Sequence, residues 1–211
     1  MDFFPEPPEP PDPPDEEQAH RQPVWMGPPD DVLPGVVPVE LVLGRSDSTV
    51  VGLIGMRAFL TGVQMSLAVR VRGRVRRRDL NAEVFDGPYD HGMDAQWQAT
   101  RLKWGFELAD GRRVTNVDPW PEQPNRDHAR PHHPDDWLWE PDHPVLHGGG
   151  GGGGGRSVDR EYWLWPLPPA GRVRVVCQWP DQDIAANVQD IDAAPILAAA
   201  RRAVPLWPPA S

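Results

Sequence analysis

Eight consecutive glycines, at residues 148–155, constrain the fold of this chain more than any other stretch. Glycine has no side chain to bury and loses the most backbone entropy on folding, so the run predicts a hinge or a loop. The two runs that follow, 161–167 and 172–180, are joined by a Pro-Pro-Ala-Gly turn and carry three of the ten tryptophans: Trp163, Trp165 and Trp179. They predict a pair of strands whose aromatic side chains anchor a core.

Residues 1–31 differ in composition from the rest of the chain. They hold ten of the 28 prolines, and nine carboxylates against the single Arg21 give them a charge of −8. Of the total charge of −10, only −2 therefore remains for residues 32–211. Proline removes amide donors and favours an extended conformation. We expect a disordered, acidic, proline-rich tail over 1–31, with docking onto a basic surface as an alternative role, and one domain over 32–211.

Alternating apolar and polar residues predict strands near residues 36–43, 49–56 and 66–76, and another near 184–191. The clearest hairpin spans 102–117, where Asp110-Gly111 supplies a turn with positive φ. One helix is predicted over 192–203, with Asp192 as its N-cap. Residues 85–99 and the proline-rich stretch 118–155 are predicted loops, the second one long and mobile. The fold class is mainly β: an antiparallel β-sandwich, Ig-like or jelly-roll-like, with one short C-terminal helix and the disordered tail.

Several classes of protein are excluded or disfavoured by the residue counts. The single cysteine, Cys177, excludes an internal disulfide and a thiolate metal cluster, and its place on an apolar strand face predicts burial. No apolar run approaches the roughly 18 residues of a membrane span, and the acidic start is unlike a signal peptide. We expect a cytoplasmic protein that does not bind membranes. No cofactor-binding or nucleophile motif is present, so we predict no cofactor and no catalytic residue.

A row of arginines is the sharpest charged feature. Along the predicted strand 66–76 the alternation places on one face Arg70, Arg72, Arg74 and Arg76, followed by Arg77 and Arg78. Guanidinium groups in a row suit binding of a polyanion, and a plain solvated strand face is the alternative. Nucleic acid is a disfavoured partner because the net charge is negative and no nucleic-acid-binding motif occurs.

The second candidate site is the histidine-rich part of the long loop. Its metal-ligating residue types are His128, His132, His133 and His143, with Asp127, Asp135, Asp136 and Asp142. Among them His132, His133 and Asp135 are the weak candidates for a metal site, because their spacing matches no zinc motif. A metal-dependent enzyme with its site in loop 127–147 is the alternative function, and a solvated loop is the simpler interpretation.

Aromatic residues give the third candidate. Trp163 and Trp165 share a strand face, as do Trp104 and Phe106, and we interpret both pairs as core. Trp137 and Trp139, on the proline-rich loop, are harder to bury and are predicted to be exposed anchors for a partner.

Several motifs resemble a family of proteins that recurs in high-GC actinobacteria and has no assigned activity. They are the Asp-Gly-Arg-Arg-Val-Thr-Asn run at 110–116, the glycine run, Tyr162 to Gly171, Trp179-Pro180 and Asp192-Ala-Ala-Pro-Ile196. The resemblance spans roughly residues 36–208 and implies a bacterial cytosolic origin. It transfers no site residues.

The sequence as a whole predicts a non-catalytic interaction or structural module that binds a protein partner. The residues predicted to bind are Arg70, Arg72, Arg74, Arg76, Trp137 and Trp139.

Overall fold

The structure is a computed structural model, and it describes residues 22–73, 80–85, 95–121 and 138–207. Eleven strands and three short α-helices occur in these ranges, with one 3-10 turn at Pro180–Gln182. The strands are β1 (Val32–Leu33), β2 (Gly35–Arg45), β3 (Thr49–Ala58), β4 (Val63–Val71), β5 (Lys103–Glu107), β6 (Arg113–Thr115), β7 (Val145–Gly154), β8 (Ser157–Trp165), β9 (Arg172–Trp179), β10 (Ile184–Asp192) and β11 (Val204–Pro205). The helices are α1 (Leu80–Phe85), α2 (Ala95–Thr100) and α3 (Ala194–Ala200).

Two antiparallel sheets form the domain. One has five strands in the order β2-β3-β4-β8-β7, the other has four in the order β10-β9-β5-β6, and β1 pairs with β11 in a separate two-stranded ladder. The two large sheets bury one common core between them. Trp104 of β5 meets Tyr162 of β8 across the interface, edge to face, with ring centroids 4.7 Å apart. The predicted β-sandwich with a short C-terminal helix is thereby confirmed.

The main core, which lies between the two sheets, follows the period-two patterns of the sequence. On β4, Leu67 and Val69 point inward and are fully buried, whereas Arg70 points out. The predicted 102–117 hairpin is present as β5 and β6, with Gly111 at φ 85° in the turn. Cys177 is buried as predicted, and burial raises the pKa of its thiol to about 12. A thiol with such a pKa is inert at neutral pH.

The predicted pairing of the two tryptophan-bearing runs is wrong. β8 pairs with β4 and β7 in the five-stranded sheet, whereas β9 pairs with β5 and β10 in the other sheet. Their connection, 166–171, contains three prolines, and proline cannot donate the amide hydrogen bonds that close a tight hairpin. The chain therefore crosses here from one sheet to the other.

The glycine run is a strand, not the predicted hinge or loop. Residues 148–154 continue β7 and pair with β8 from Tyr162 to Ser157, with a register shift between Gly148 and Gly151. Gly155-Arg156 forms the hairpin turn, with Gly155 at φ 60°. A strand ladder uses main-chain groups alone, so a neighbour as regular as β8 can order a segment without side chains. The prediction of a mobile loop over 118–155 is thus wrong for residues 145–154. Residues 122–137 of the predicted loop lie outside the described ranges.

The boundary of the predicted tail also changes. Residues 22–31 (the N-terminal segment) pack on the domain, and Trp25 within them is 4% exposed. Burial of one large aromatic ring outweighs the local proline content there. Residues 1–21 lie outside the described ranges.

The helices differ from the prediction in two ways. The structure has α1 and α2 at the two ends of the predicted 85–99 loop. The C-terminal helix is shorter than predicted, because Asp192 belongs to β10 and the helix begins at Ala194. Asp192 still pairs with one of the free amide groups at the start of the helix, since its Oδ1 accepts a hydrogen bond from the Ala194 amide at 2.9 Å. Pro195 lies in the first turn, as predicted.

Candidate functional site

β7 forms one edge of the five-stranded sheet. It pairs with β8 on one side, and no strand of the described ranges pairs with it on the other. Residues 149–154 are exposed and carry no side chain. An edge strand presents unpaired amide and carbonyl groups that can pair with another extended chain.

Two of the β7 glycines are required by the fold and three are not. A Cβ atom at Gly151 would overlap the carbonyl oxygen of Asp159, and one at Gly153 would overlap that of Ser157. At Gly150, Gly152 and Gly154 a Cβ atom would meet nothing within 4 Å. The structure therefore leaves open space above these three positions, and nothing within the described part of the chain fills it.

The inner face of the glycine strand is covered by α1. The Arg160 guanidinium lies 4.9 Å from the centre of the Phe85 ring, and its Nη1 donates to the Val84 carbonyl oxygen at 2.7 Å. Asn81 Nδ2 donates to the Gly153 carbonyl oxygen at 3.3 Å. Among the described residues, Asn81 is the one side chain that hydrogen bonds to the β7 main chain. The remainder of the glycine edge stays open within those ranges.

The opposite edge of the same sheet, β2, is covered by side chains. Asn187 Nδ2, from β10, donates to the Leu43 carbonyl oxygen at 2.7 Å, and Gln189 Nε2 donates to the Val42 carbonyl oxygen. Arg202 Nη2 donates to the Val36 carbonyl oxygen at 2.9 Å. These donors occupy main-chain acceptors that an added strand would need, so β2 is a closed edge.

The arginine row does not extend as the sequence predicts. β4 ends at Val71, because Gly73 has φ 95° and turns the chain, so Arg72 lies in a bend after the strand. Arg70 is exposed on the outer face and forms a bidentate pair with Asp159, at 2.7 and 3.0 Å. Its charge is therefore already matched. Arg74 and Arg76, with Arg77 and Arg78, lie outside the described residues.

Several tryptophans near the β7 strand form a second hydrophobic cluster, on the outer face of the five-stranded sheet. Trp163 and Trp165 are buried, as predicted, but here rather than between the sheets. We call this the aromatic cleft; it is lined by Phe59, Trp120, Trp139, Val145, Trp163 and Trp165. Trp25 of the N-terminal segment occupies it, with ring centroids 5.2 Å from Trp120 and 5.5 Å from Trp139.

Trp139 is half-buried, so the prediction that its side chain is exposed is wrong, whereas its role in binding a partner stays a prediction. Its carbonyl oxygen accepts a hydrogen bond from Trp25 Nε1 at 3.0 Å, and its ring packs edge to face on Trp25. The N-terminal segment, assigned to the tail in the sequence, covers it. Trp137 lies outside the described residues.

The predicted metal candidates His132, His133 and Asp135 also lie outside the described residues, as do His128, Asp127 and Asp136. His143 and Asp142 are described, exposed and paired at 2.8 Å, and the histidine holds the pKa of the Asp142 carboxyl below its usual value. Within the described ranges no group of three metal-ligating side chains comes together. A cavity beside His143 and Trp120 measures about 30 Å³, room for about two water molecules.

The outer face of the four-stranded sheet carries charges that neutralise each other. Glu107 pairs with Arg113 at 2.7 Å and with Arg174 at 2.9 Å, and Asp190 pairs with Arg172 at 3.4 Å. The hydrogen bond from Arg113, with further help from Arg174, lowers the pKa of Glu107. Because opposite charges alternate across these strands, their described side chains present no strip of one sign to a charged ligand.

Two functional features were missed in the sequence. The glycine edge had a weak signal, since Gly155-Arg156 is a two-residue turn between a segment that starts with Val145-Leu146 and the regular β8 pattern. The segment that occupies the aromatic cleft also had a weak sequence signal, because Val24-Trp25-Met26 is a short apolar run within a proline-rich acidic region.

No protein-family model matches the chain, and neither a curated protein nor a solved structure shows significant similarity to it. No helix in the described ranges is long and apolar enough to cross a membrane.

Proposed function

We propose that this protein is a non-catalytic protein-binding module that takes an extended segment of a partner protein onto the free edge of β7. The observation that carries the proposal is the contrast within one sheet. Three side chains cover the β2 edge, whereas the β7 edge is made of glycine and receives one side-chain hydrogen bond, from Asn81, in the part of the chain that the structure describes. The buried, unreactive Cys177 fits a reducing compartment, and we propose a cytoplasmic location.

Strand addition obtains its affinity from main-chain hydrogen bonds, and its specificity from side chains on alternate positions. Each such bond contributes about 0.5–1.5 kcal/mol net, so the bonds along a strand of this length give a modest affinity on their own. Partner side chains have to supply the rest. Large side chains of an added strand can lie over neighbouring glycines, which is a known way to stabilise glycine in sheets. The expected partner segment is therefore extended, free of proline, and rich in aromatic or β-branched residues.

Polyanion binding is the weaker candidate. Of the arginine row, Arg70 is paired with Asp159 and Arg72 lies past the end of β4. A metal-dependent activity in loop 127–147 has no supporting observation in residues 138–147.

The test uses a charge placed on the open edge. Gly152 lies opposite Asp159 in the ladder and has open space above it, so Gly152→Lys is compatible with folding, while an edge lysine opposes strand addition. Gly152→Ala is the matched control. Partners captured from lysate by the wild-type chain should be captured by Gly152→Ala and lost with Gly152→Lys.

Hydrogen exchange locates the contact. With the captured partner bound, amides of residues 148–154 should exchange at least tenfold more slowly, and those of β2 should be unchanged. A partner retained by Gly152→Lys, or one that protects another surface and leaves β7 unprotected, contradicts strand addition.

A further inference from the structure

The aromatic cleft has the construction of a peptide-binding site. Its floor is formed by Trp163 and Trp165, which are held rigidly on β8, and its walls by side chains from two connections, Trp120 and Trp139. The segment that fills it, residues 22–31, comes from a distant part of the sequence. Its buried side chain is Trp25, and Val24 and Met26 are half-buried against the same cluster. We propose that the cleft binds a tryptophan-bearing segment of a partner protein, and that the N-terminal segment is an exchangeable intramolecular ligand occupying it.

The polar contacts show what the cleft recognises. Trp25 Nε1 donates to the Trp139 carbonyl oxygen at 3.0 Å, and Trp163 Nε1 donates to the Val24 carbonyl oxygen at 3.1 Å. In the first contact the cleft accepts a hydrogen bond from an indole N–H. In the second it donates one to the carbonyl oxygen of the residue before that tryptophan. Any segment with a tryptophan can present both groups. The Val24 side chain is also half-buried against the cluster, which favours an apolar residue at this position. The expected partner segment is therefore an apolar residue followed by tryptophan.

The N-terminal segment can leave without opening the sandwich. Among the described residues the main core contains none before Val37, and Trp25 belongs to the separate cluster on the outer face. Beyond the cleft, the segment and β1 are held by the two-residue ladder to β11 and by the bond from the Leu206 amide to the Asp31 carbonyl oxygen, at 2.7 Å. Regions with few main-chain contacts and no share in the core open at lower free energy than the whole domain.

The cleft also adjoins the strand of the proposed function. Trp120 packs on His147 of β7 with ring centroids 4.5 Å apart. The two sites are argued from different observations, and either can be wrong without the other.

The test uses the full chain carrying Trp25→Ala and, as the probe, a fluorescent peptide with the sequence of residues 21–31. Removing the resident indole leaves the cleft vacant, so we expect this variant to bind the peptide at least tenfold more tightly than the wild-type chain does. In the wild type, the tethered segment competes at a high effective concentration. Trp207→Ala is the matched control, because Trp207 is 72% exposed and outside the cleft; it should bind like wild type.

The same peptide with its tryptophan replaced by alanine should not bind. Peptide binding to Trp25→Ala that equals binding to wild type, in a variant with wild-type circular dichroism and cooperative unfolding, overturns the proposal. Adding Gly152→Lys to Trp25→Ala should leave peptide affinity unchanged, which separates failure of this site from failure of strand addition at β7.

If Trp25→Ala does not fold, hydrogen exchange of the wild-type chain decides. Amides of residues 24–33 should exchange at least a hundredfold faster than those of β4, through an opening that leaves β4 protected. Equal protection of the two regions means that the segment opens only with the whole domain, and it would falsify exchangeability.

Discussion

β2 and β7 are the two edges of one sheet, and they meet solvent in opposite ways. β2 receives hydrogen bonds on its outer main chain from Asn187, Gln189 and Arg202, and α3 packs directly on Gly35. β7 receives one, from Asn81, among the described residues, and its glycines add no cover of their own. The comparison separates two properties of an edge strand. Main-chain pairing with the inner neighbour creates the strand, whereas side chains decide whether its outer edge is available.

The closed edge depends on side chains that belong to other elements. Asn187 and Gln189 lie two residues apart on β10, so both point the same way and reach across to β2. The cover therefore joins the edges of the two sheets on this side of the sandwich. On the other side β6 and β7 lie close together, since Val114 and Val145 line the same small cavity, but no such side-chain bond joins them within the described ranges.

The largest expected effect comes from adding one methyl group at matched positions on the two edges. At Gly35 a Cβ atom would overlap the backbone of Ala199, so Gly35→Ala must displace α3 from β2. We expect the free energy of unfolding to fall by about 1–3 kcal/mol, the usual cost of overpacking. At Gly154 the space is open, and Gly154→Ala should change the free energy of unfolding by no more than about 0.5 kcal/mol. Urea titrations of both variants measure the difference, and equal losses would contradict the closed-and-open contrast.

A smaller effect is expected from uncovering β2. Asn187→Ala removes the donor to the Leu43 carbonyl oxygen and should lower the free energy of unfolding by about 0.5–1.5 kcal/mol. It should also produce concentration-dependent association, because a second edge becomes available for pairing. Val188→Ala, at an exposed neighbour on the same strand, is the control and should do neither. Thermal unfolding and light scattering report the two effects, and an Asn187→Ala chain as stable and as monodisperse as the control would show that β2 needs no such cover.

The parts of the fold that the sequence predicts are those in which local alternation carries the information. β4, the β5–β6 hairpin and the buried face around Cys177 all have a period of two, and each is present in the structure. Alternation says which face is buried but not which strand is the neighbour, so the pairing of β8 with β9 was predicted wrongly. The proline-rich connection after Trp165 was the better guide, since it cannot close a tight turn.

The two candidate sites escaped prediction for different physical reasons. A glycine run has no side-chain pattern, so its strand is specified by β8 rather than by itself. The occupant of the aromatic cleft depends on contacts between Trp25 and residues as far along the chain as Trp139, which periodicity does not reveal. Trp139 was predicted to be exposed, because its partner inside the same chain, Trp25, was missed.

The smallest expected effect is a pH dependence of stability that comes from the β7 edge and not from the β2 edge. His147, on β7, is half-buried beside Trp120, and this burial, with a further contribution from the Arg160 charge, lowers the pKa of its imidazole below 6.5. At a pH between the folded and unfolded pKa values of this imidazole, the unfolded chain binds more protons than the folded one. The contribution of His147 to stability is therefore fully present above about pH 6.5, the unfolded value, and is lost as the pH falls towards the folded value. The β2 cover uses amide and guanidinium groups, which do not titrate between pH 5 and 8.

We therefore expect the wild-type chain to have a lower free energy of unfolding at pH 5 than at pH 8, measured by urea titration. His147→Phe, which keeps an aromatic ring against Trp120 without a titrating group, should flatten part of that dependence, whereas His143→Gln, at an exposed histidine, should retain it. Asn187→Ala should lower stability equally at both pH values. If His147→Phe and wild type show the same slope, protonation of His147 does not weaken the β7 side, and the pH contrast between the two edges fails while the steric contrast stands.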